Sequence, residues 1–223
     1  VAAEYPAEDN AFQDKIKNLQ QSYRWIRRTR PDGNCFFRAF TFAYFESLLN
    51  DNQELQRFIA VAEKSKQDLI SLGFSSFTIE DFHDCLAGIL NRINSHEIHT
   101  TDQLLSIFND QGTSDYLVVF MRLVTSGHLQ INAEFFANFI ENCISMKEFC
   151  SHEVEPMYKE SDHIHVTALT ETTQVPVRIN YLDRGQGSNV TVHNFPEGST
   201  PRIHLLYKPG HYDILYTDNV HNG

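Results

Sequence analysis

Apolar side chains recur along the first two thirds of the chain at the spacing of amphipathic helices. This spacing predicts a first helix over residues 12–26, for which Asp9 or Asn10 would serve as the N-cap. Residues 35–49 are apolar on nearly every face, which indicates a buried helix. Residues 53–72 carry one apolar stripe and predict a helix that packs on one side.

Local start and stop signals indicate further helices. Thr78 followed by Asp81 resembles a capping box that opens a helix. Residues 114–127 are rich in β-branched side chains, but the length of the segment and its terminal glycine favour a helix. Residues 132–140 predict another short helix. Neither an internal repeat nor a low-complexity linker divides the sequence.

After about residue 160 the pattern changes to a period of two, which is typical of strands. Alternation over residues 163–169, 175–182 and 202–207 predicts three strands. A Pro-Gly turn then leads into a hairpin partner over residues 211–216. Because the helices precede the strands and do not alternate with them, the predicted fold class is α+β.

Composition narrows the class of protein. The chain has 223 residues, enough for one large domain or two small ones. An aromatic content of 12% excludes intrinsic disorder, and no apolar run is long enough to span a bilayer. A formal net charge of -11 argues against nonspecific binding to nucleic acid or to an anionic membrane.

The cysteines and the N-terminus bear on the cellular compartment. Four cysteines, at positions 35, 85, 143 and 150, form no CxxC pair and are too sparse for a disulfide framework. We therefore expect a reducing intracellular compartment, the cytoplasm or also the nucleus. The N-terminus lacks both a signal-peptide pattern and an initiator methionine. We expect a processed or truncated piece, with a flexible remnant over residues 1–10 and a flexible tail over 217–223.

Cys35 follows an Asp-Gly-Asn loop and precedes the predicted buried helix. At a helix N-terminus the macrodipole and the free N–H groups favour a thiolate. Gly33 lets the loop approach a substrate closely, and successive loop N–H groups can bind an anion. These features suit a cysteine nucleophile beside an oxyanion hole. Taken alone, a cysteine in this position is more often a buried structural residue, because cysteine is among the most buried residue types.

His211 and Asp213 give the cysteine a catalytic context. They are separated by two positions in a predicted strand, so their side chains lie on the same face. A carboxylate there can fix the tautomer of the histidine and stabilise the imidazolium, which is the role of the third member of a triad. The alternative from the residues alone is a surface His–Asp pair on an edge strand.

Two motifs resemble those of the ovarian-tumour (OTU) cysteine proteases, which remove ubiquitin. Residues 31–39, PDGNCFFRA, resemble their catalytic loop, and residues 210–216, GHYDILY, resemble their histidine strand. The segments VEPM, ESDHIH and PEGS, at 154–157, 160–165 and 196–199, are similar to the otubain branch. The resemblance implies a single papain-like OTU domain over residues 11–216, with a helix-rich N-terminal part packed on a mainly antiparallel C-terminal sheet.

The resemblance also implies residue roles. Cys35 would be the nucleophile, His211 the general base and then acid, and Asp213 the group that orients His211. Asp32 would shape the oxyanion hole. The implied oxyanion donors are the backbone N–H groups of Gly33, Asn34 and Cys35. The implied function is a thiol-dependent deubiquitinase without a cofactor, which hydrolyses isopeptide bonds at the ubiquitin C-terminus and prefers the proteasome-targeting polyubiquitin linkage.

His163, Tyr23 and Trp25 are three further ring-bearing side chains whose environment the sequence predicts. His163 lies in the segment with which otubains contact the distal ubiquitin, but it shares a predicted strand face with His165 and could simply pack there. Tyr23 and Trp25, near the first helix, are expected in the core. His163 and His165 have the spacing of metal ligands, but the absence of CxxC, HxxxH and HExxH patterns argues against a metal site.

A second function remains open beside catalysis. Proteins similar to otubains also restrain ubiquitin-conjugating (E2) enzymes without catalysis, so the chain could be a regulator that binds ubiquitin and E2 enzymes. Partners under either reading are ubiquitin and polyubiquitin chains. The net charge of -11 suits the basic face of ubiquitin and its arginine-rich tail.

Overall fold

A computed structural model describes residues 1–6, 8–141, 145–185 and 187–217 of the chain. A single 3-10 turn (Ala2–Glu4) comes first. The helices are α1 (Asn10–Ser22), α2 (Cys35–Leu48), α3 (Asn52–Ser71), α4 (Ser76–Asn94), α5 (Thr101–Asn109), α6 (Gln111–Ile131), α7 (Ala133–Phe136), α8 (Met146–Phe149) and α9 (His163–Thr173). The strands are β1 (Trp25–Arg27), β2 (Val177–Tyr181), β3 (Thr191–Phe195), β4 (Ile203–Lys208) and β5 (His211–Tyr216). A 3-10 turn (Ala137–Phe139) follows α7 and a π-helical turn (Cys150–Val154) follows α8.

These strands form one sheet in the order β1-β5-β4-β2-β3. β2 runs parallel to β4, whereas the other neighbouring pairs are antiparallel, as the sequence predicted for most of the sheet. β4 and β5 form the predicted hairpin, in which Lys208 lies opposite His211 and Leu206 opposite Asp213. The hairpin register therefore brings three charged or titratable side chains to one end of the sheet.

α2 is the central helix of the core. It packs against β4 and β5 on one side and against α3, α5 and α6 on the other, so nearly every face is buried. The rings of Phe36, Phe37, Phe40, Tyr44 and Phe45 are completely buried. Burial of each ring stabilises the fold by roughly 1.5–3 kcal/mol, which fixes the position of the Cys35 end of this helix.

The strand predicted over residues 163–169 is wrong, because these residues begin α9. At its start the His165 ring turns back and accepts the N–H of Asp162 at 3.0 Å. The polar residues Thr170 and Thr173 are buried and donate their hydroxyls to carbonyls one turn earlier in the helix. Buried polar residues remove the contrast between the two faces of a helix, which left a false period of two in the sequence.

Three smaller predictions also need correction. α4 begins at Ser76, so Thr78 is an interior residue of the helix and does not cap it. α1 ends at Ser22 and the chain continues into β1, which contains the end of the predicted first helix. Tyr23 is buried, as expected, but Trp25 is 52% exposed and does not belong to the core.

Candidate active site

Cys35 is the first residue of α2, and Asn34 is its N-cap. The thiol is 3% exposed and lies against β5, where the backbone N–H of Tyr212 points toward it. Burial raises the pKa of the Cys35 thiol above its ordinary value, and the carboxylate of Asp32 raises it further. Nearby backbone N–H groups act in the opposite direction but do not outweigh burial. The thiolate expected from the helix N-terminus is therefore not favoured in the free protein, in which Cys35 is a neutral thiol.

His211 and Asp213 are joined as their spacing predicted. Nε2 of His211 lies 2.9 Å from Oδ1 of Asp213, which is completely buried. Oδ1 also accepts the N–H of Thr29 at 3.0 Å, and Oδ2 lies 2.9 Å from Nζ of Lys208. Burial alone would raise the pKa of Asp213, but Thr29, Lys208 and His211 together hold it below its ordinary value. Asp213 is therefore ionised, and its Oδ1 accepts a hydrogen bond from the Nε2–H group of His211.

This bond fixes which nitrogen of His211 can act as a base. Because Nε2 donates to Asp213, a neutral ring carries its lone pair on Nδ1. Nδ1 is buried and has no hydrogen-bond partner within the described ranges. Across the same ranges, no hydrogen bond joins the thiol of Cys35 to His211. The structure thus places a neutral thiol on α2 beside the strand that carries a base with a free lone pair.

Asp32 acts on the backbone of its own loop. Its Oδ1 accepts the N–H of Asn34 at 3.0 Å, and its Oδ2 receives two bonds from Arg38, at 2.8 and 3.1 Å. Burial alone would raise the pKa of Asp32, but the bonds from Arg38 and Asn34 hold it below its ordinary value. The carboxylate is therefore ionised, and it holds the loop before Cys35 without a hydrogen bond to the His211 ring.

The bond to Asp32 changes the predicted oxyanion hole. The N–H of Asn34 already donates to Asp32 in the free protein, so it could donate to an oxyanion only after that bond breaks, and its predicted role stays a prediction. The N–H of Cys35, at the first position of α2, has no acceptor within the helix. The remaining predicted donors are therefore the N–H groups of Gly33 and Cys35.

Gly33 is required by both conformation and space. Its φ of +74° lies in the left-handed region that side chains rarely adopt. A Cβ at this position would lie 2.3 Å from the carbonyl oxygen of Tyr158. The loop before Cys35 is therefore pressed directly against the backbone of the segment that leads to α9.

A completely buried arginine, Arg122 of α6, holds these two segments together, and the sequence analysis missed it. Its guanidinium donates to the carbonyls of Gly33 and Lys159 at 3.0 and 2.6 Å, and to Oδ1 of Asn34 at 2.9 Å. It also donates to the carbonyl of Val154 at 3.0 Å. Burial lowers the pKa of Arg122 to about 10, so it remains charged at neutral pH. A single arginine in the otherwise apolar run LVVFMRLV was the signal that could have revealed it.

His163 lies at the first position of α9 and makes no contact with the His211–Asp213 pair among the described residues. Its Nε2 is 2.7 Å from the hydroxyl of Tyr181, and its ring contacts His193 and Phe195 of β3. Burial, and then the neighbouring His193, lower the pKa of His163. His163 also borders a cleft of about 540 Å³ whose other walls are mainly apolar, with four phenylalanines and two isoleucines. The structure thus shows the packing role, and the ubiquitin contact predicted for His163 stays a prediction.

The other cysteines lie outside this site. Cys150 is buried in the π-helical turn, with its sulfur 3.8 Å from the carbonyl of Ser126. Cys85 is partly buried within α4. Cys143 lies outside the described residues, as do residues 218–223 of the predicted tail. Within the described ranges, no group of three or more His, Cys, Asp or Glu side chains is arranged to hold a metal ion, and no helix is long and apolar enough to cross a membrane.

The chain is similar in sequence to known otubains over nearly its whole length. A family model described as Peptidase C65 Otubain matches residues 1–217. Ubiquitin thioesterase OTUB1 of Homo sapiens is 55% identical over 213 residues, which cover 96% of this chain and 78% of that protein. Ubiquitin thioesterase OTUB2 of Homo sapiens is 37% identical over 214 residues, which cover 96% of this chain and 90% of that protein.

Solved structures confirm the fold. The h/ceOTUB1-ubiquitin aldehyde-UBCH5B~Ub structure has a TM-score of 0.91 and 37% identity, with 98% of this chain and 86% of that chain covered. The ceOTUB1 ubiquitin aldehyde UBC13~Ub complex has a TM-score of 0.92 and 37% identity, with 98% and 90% covered. The predicted α+β OTU architecture and otubain branch are confirmed. The chain belongs to the otubain family of OTU cysteine-type deubiquitinating hydrolases.

Proposed function

We propose that this chain hydrolyses isopeptide bonds at the C-terminus of ubiquitin, with Cys35 as nucleophile, His211 as general base and acid, and Asp213 as the residue that orients His211. The observation that carries the proposal is the His211–Asp213 pair on β5. It leaves Nδ1 without a partner on the strand against which the Cys35 thiol packs. Substrate would complete the arrangement by bringing the thiol and Nδ1 into hydrogen-bonding contact.

The reaction then follows from these groups. Nδ1 of His211 takes the thiol proton as the sulfur of Cys35 attacks the isopeptide carbonyl carbon. The resulting oxyanion receives hydrogen bonds from the N–H groups of Gly33 and Cys35. The C–N bond breaks as His211 returns the proton to the departing lysine amine. His211 next deprotonates a water that attacks the thioester, which releases the ubiquitin carboxylate and restores the thiol.

Asp32 supports this chemistry indirectly in our proposal. By holding the N–H of Asn34 and the guanidinium of Arg38, its carboxylate fixes the loop whose remaining N–H groups would donate to the oxyanion. His163 is proposed to contact the distal ubiquitin, because it lies at the edge of a mainly apolar cleft. The preference for the proteasome-targeting linkage is proposed from the family resemblance.

A ubiquitin probe with a C-terminal electrophile tests the catalytic proposal. Under reducing conditions we expect one covalent adduct, located at Cys35 by peptide mass spectrometry. A Cys85→Ser variant is the matched cysteine control and should react like the wild type. The proposal would be overturned if the probe formed no adduct at Cys35 and the protein also failed to cleave di-ubiquitin. A panel of di-ubiquitins then tests the linkage preference.

A second function is favoured by the solved relatives, whose complexes contain UBC13~Ub and UBCH5B~Ub. We propose that this chain also binds ubiquitin-charged E2 enzymes and inhibits ubiquitin conjugation without catalysis. A Cys35→Ala variant should lose cleavage of ubiquitin chains but keep this inhibition. Loss of both activities together in a folded Cys35→Ala variant would refute the non-catalytic function. Because hydrolysis needs a reduced thiol, we propose that the protein acts in the cytoplasm or nucleus.

A further inference from the structure

Lys208, the last residue of β4, lies between two carboxylates at the back of the catalytic pair. Its Nζ is 2.9 Å from Oδ2 of Asp213 and 3.2 Å from Oε2 of Glu4, in the N-terminal 3-10 turn. The lysine side chain is only 13% exposed. Glu4 also pairs with Arg28. An unbroken series of polar contacts thus runs from Glu4 through Lys208 and Asp213 to His211.

We propose that Lys208 is a positioning residue for the catalytic histidine, and that Glu4 sets how strongly the charge of Lys208 acts on it. The proposal rests on the proposed function, since it concerns the protonation of His211 during that reaction. It assigns the N-terminal turn a part in tuning the active site, although this turn contributes no reacting group.

The two oxygens of the Asp213 carboxylate have different partners. Oδ1 is shared by His211 and the N–H of Thr29, whereas the cation that faces Oδ2 is Lys208. Without Lys208, a completely buried carboxylate oxygen would lose its cation. A buried carboxylate oxygen that has lost its ion-pair partner favours rotation of the carboxylate toward a donor, which would disturb the bond that orients His211.

The positive charge of Lys208 also acts on His211. Lys208 and His211 are direct cross-strand partners, so a positive charge on the lysine opposes formation of the imidazolium. Burial would lower the pKa of Lys208, but Asp213 and Glu4 raise it above its ordinary value, so the lysine stays charged. Glu4 offsets part of that charge. Loss of Lys208 and loss of the Glu4 charge should therefore move the protonation of His211 in opposite directions.

Other charged or titratable groups also face this cluster. They are the amino terminus of Val1 and Arg28 beside Glu4, Tyr5 beside Glu4 and Lys208, and Glu160 and Tyr207 beside Gly210. Cys35 and Asp162 act electrostatically on Tyr212, the residue between His211 and Asp213. All of them remain in place when Lys208 or Glu4 alone is substituted. In the Glu4 variant, Arg28 would lose its partner and add positive charge nearby, which acts in the same direction as the uncovered Lys208.

The test measures kcat/KM for di-ubiquitin against pH, together with the NMR titration of the His211 ring. In Lys208→Met, we expect the acid limb of the profile and the NMR midpoint to move up by about 0.5–1 pH unit, and kcat to fall roughly tenfold. Lys208→Arg should restore both. In Glu4→Gln, both midpoints should move down, by about 0.2–0.5 unit. Lys64→Met and Glu63→Gln, on the exposed face of α3, are the matched charge controls.

Two outcomes would overturn the proposal. One is a Lys208→Met profile and NMR midpoint that stay within about 0.2 unit of the wild type. The other is a shift of the same sign in Lys208→Met and Glu4→Gln. Thermal unfolding confirms that each variant is folded. If Lys208→Met does not fold, an upward shift of the His211 midpoint in Glu4→Gln would overturn the proposal by itself. The NMR midpoint needs no substrate, so failure of the deubiquitinase proposal would appear separately, as absence of activity in the wild type.

Discussion

Replacement of Gly33 by alanine is the sharpest test of how the loop before Cys35 is held. The new Cβ would lie 2.3 Å from the carbonyl oxygen of Tyr158, so the two backbones must separate by about 1 Å to reach ordinary contact. The φ of +74° adds about 1–2 kcal/mol of conformational strain. With an overpacking penalty of about 1–3 kcal/mol, we expect the free energy of unfolding to fall by roughly 2–5 kcal/mol.

At low denaturant, the loss of kcat/KM in Gly33→Ala should exceed the loss that the unfolded fraction of the protein explains. A displacement of about 1 Å in groups that position the reacting atoms can reduce the rate about 10²-fold. The assay compares kcat/KM for di-ubiquitin with urea unfolding of the same preparation. Gly73→Ala is the matched control, since Gly73 has a φ of +94° but a Cβ added there would have no atom within 4 Å. It should lose about 1 kcal/mol and keep full activity. A Gly33→Ala enzyme with kcat/KM within threefold of the wild type would refute the reasoning.

Three further predictions concern buried charge and ionic strength. Arg122→Met should lower the free energy of unfolding by about 3–5 kcal/mol in urea, because its four acceptors lose their donor, and a loss below 1 kcal/mol would contradict this. The folded pKa of Asp213 is depressed, so its stabilisation is present above the ordinary value of 3.8 and is lost as pH falls through the folded value. Asp213→Asn should therefore flatten the acid decline of unfolding free energy, and an unchanged decline would contradict the assignment. Finally, kcat/KM should fall several-fold between about 20 and 500 mM salt, because screening weakens attraction of the ubiquitin tail, whereas a constant value would make the charge of -11 a solubility feature.

The reach of sequence reasoning differs between the members of the site. The period of a strand was enough to place His211 and Asp213 on one face, since that relation depends only on local backbone geometry. The Asp-Gly-Asn loop before a buried helix was enough to single out Cys35. The resting protonation of Cys35 was not predictable, because it depends on burial by β5, which lies far away in sequence.

Contacts between distant segments were also beyond the sequence. The bonds from Arg122 to the loop at Gly33 cross 89 positions of the chain, and no local pattern signals such a partner. α9 was mistaken for a strand because its buried threonines satisfy their hydroxyls within the helix. Periodicity reports the contrast between faces, and this helix buries polar residues as well as apolar ones.

The sequence by itself determined the α+β class, the buried helix that begins at Cys35, and the pairing of His211 with Asp213. These features follow from short-range periodicity, turn residues and helix-start signals, which act within a few positions. Only the tertiary structure decided that the Cys35 thiol is neutral, that Asp32 occupies the N–H of Asn34, and that Lys208 and Glu4 lie behind the His211–Asp213 pair. Burial and ion pairing depend on which segments meet in space, and that is settled by packing of the whole chain.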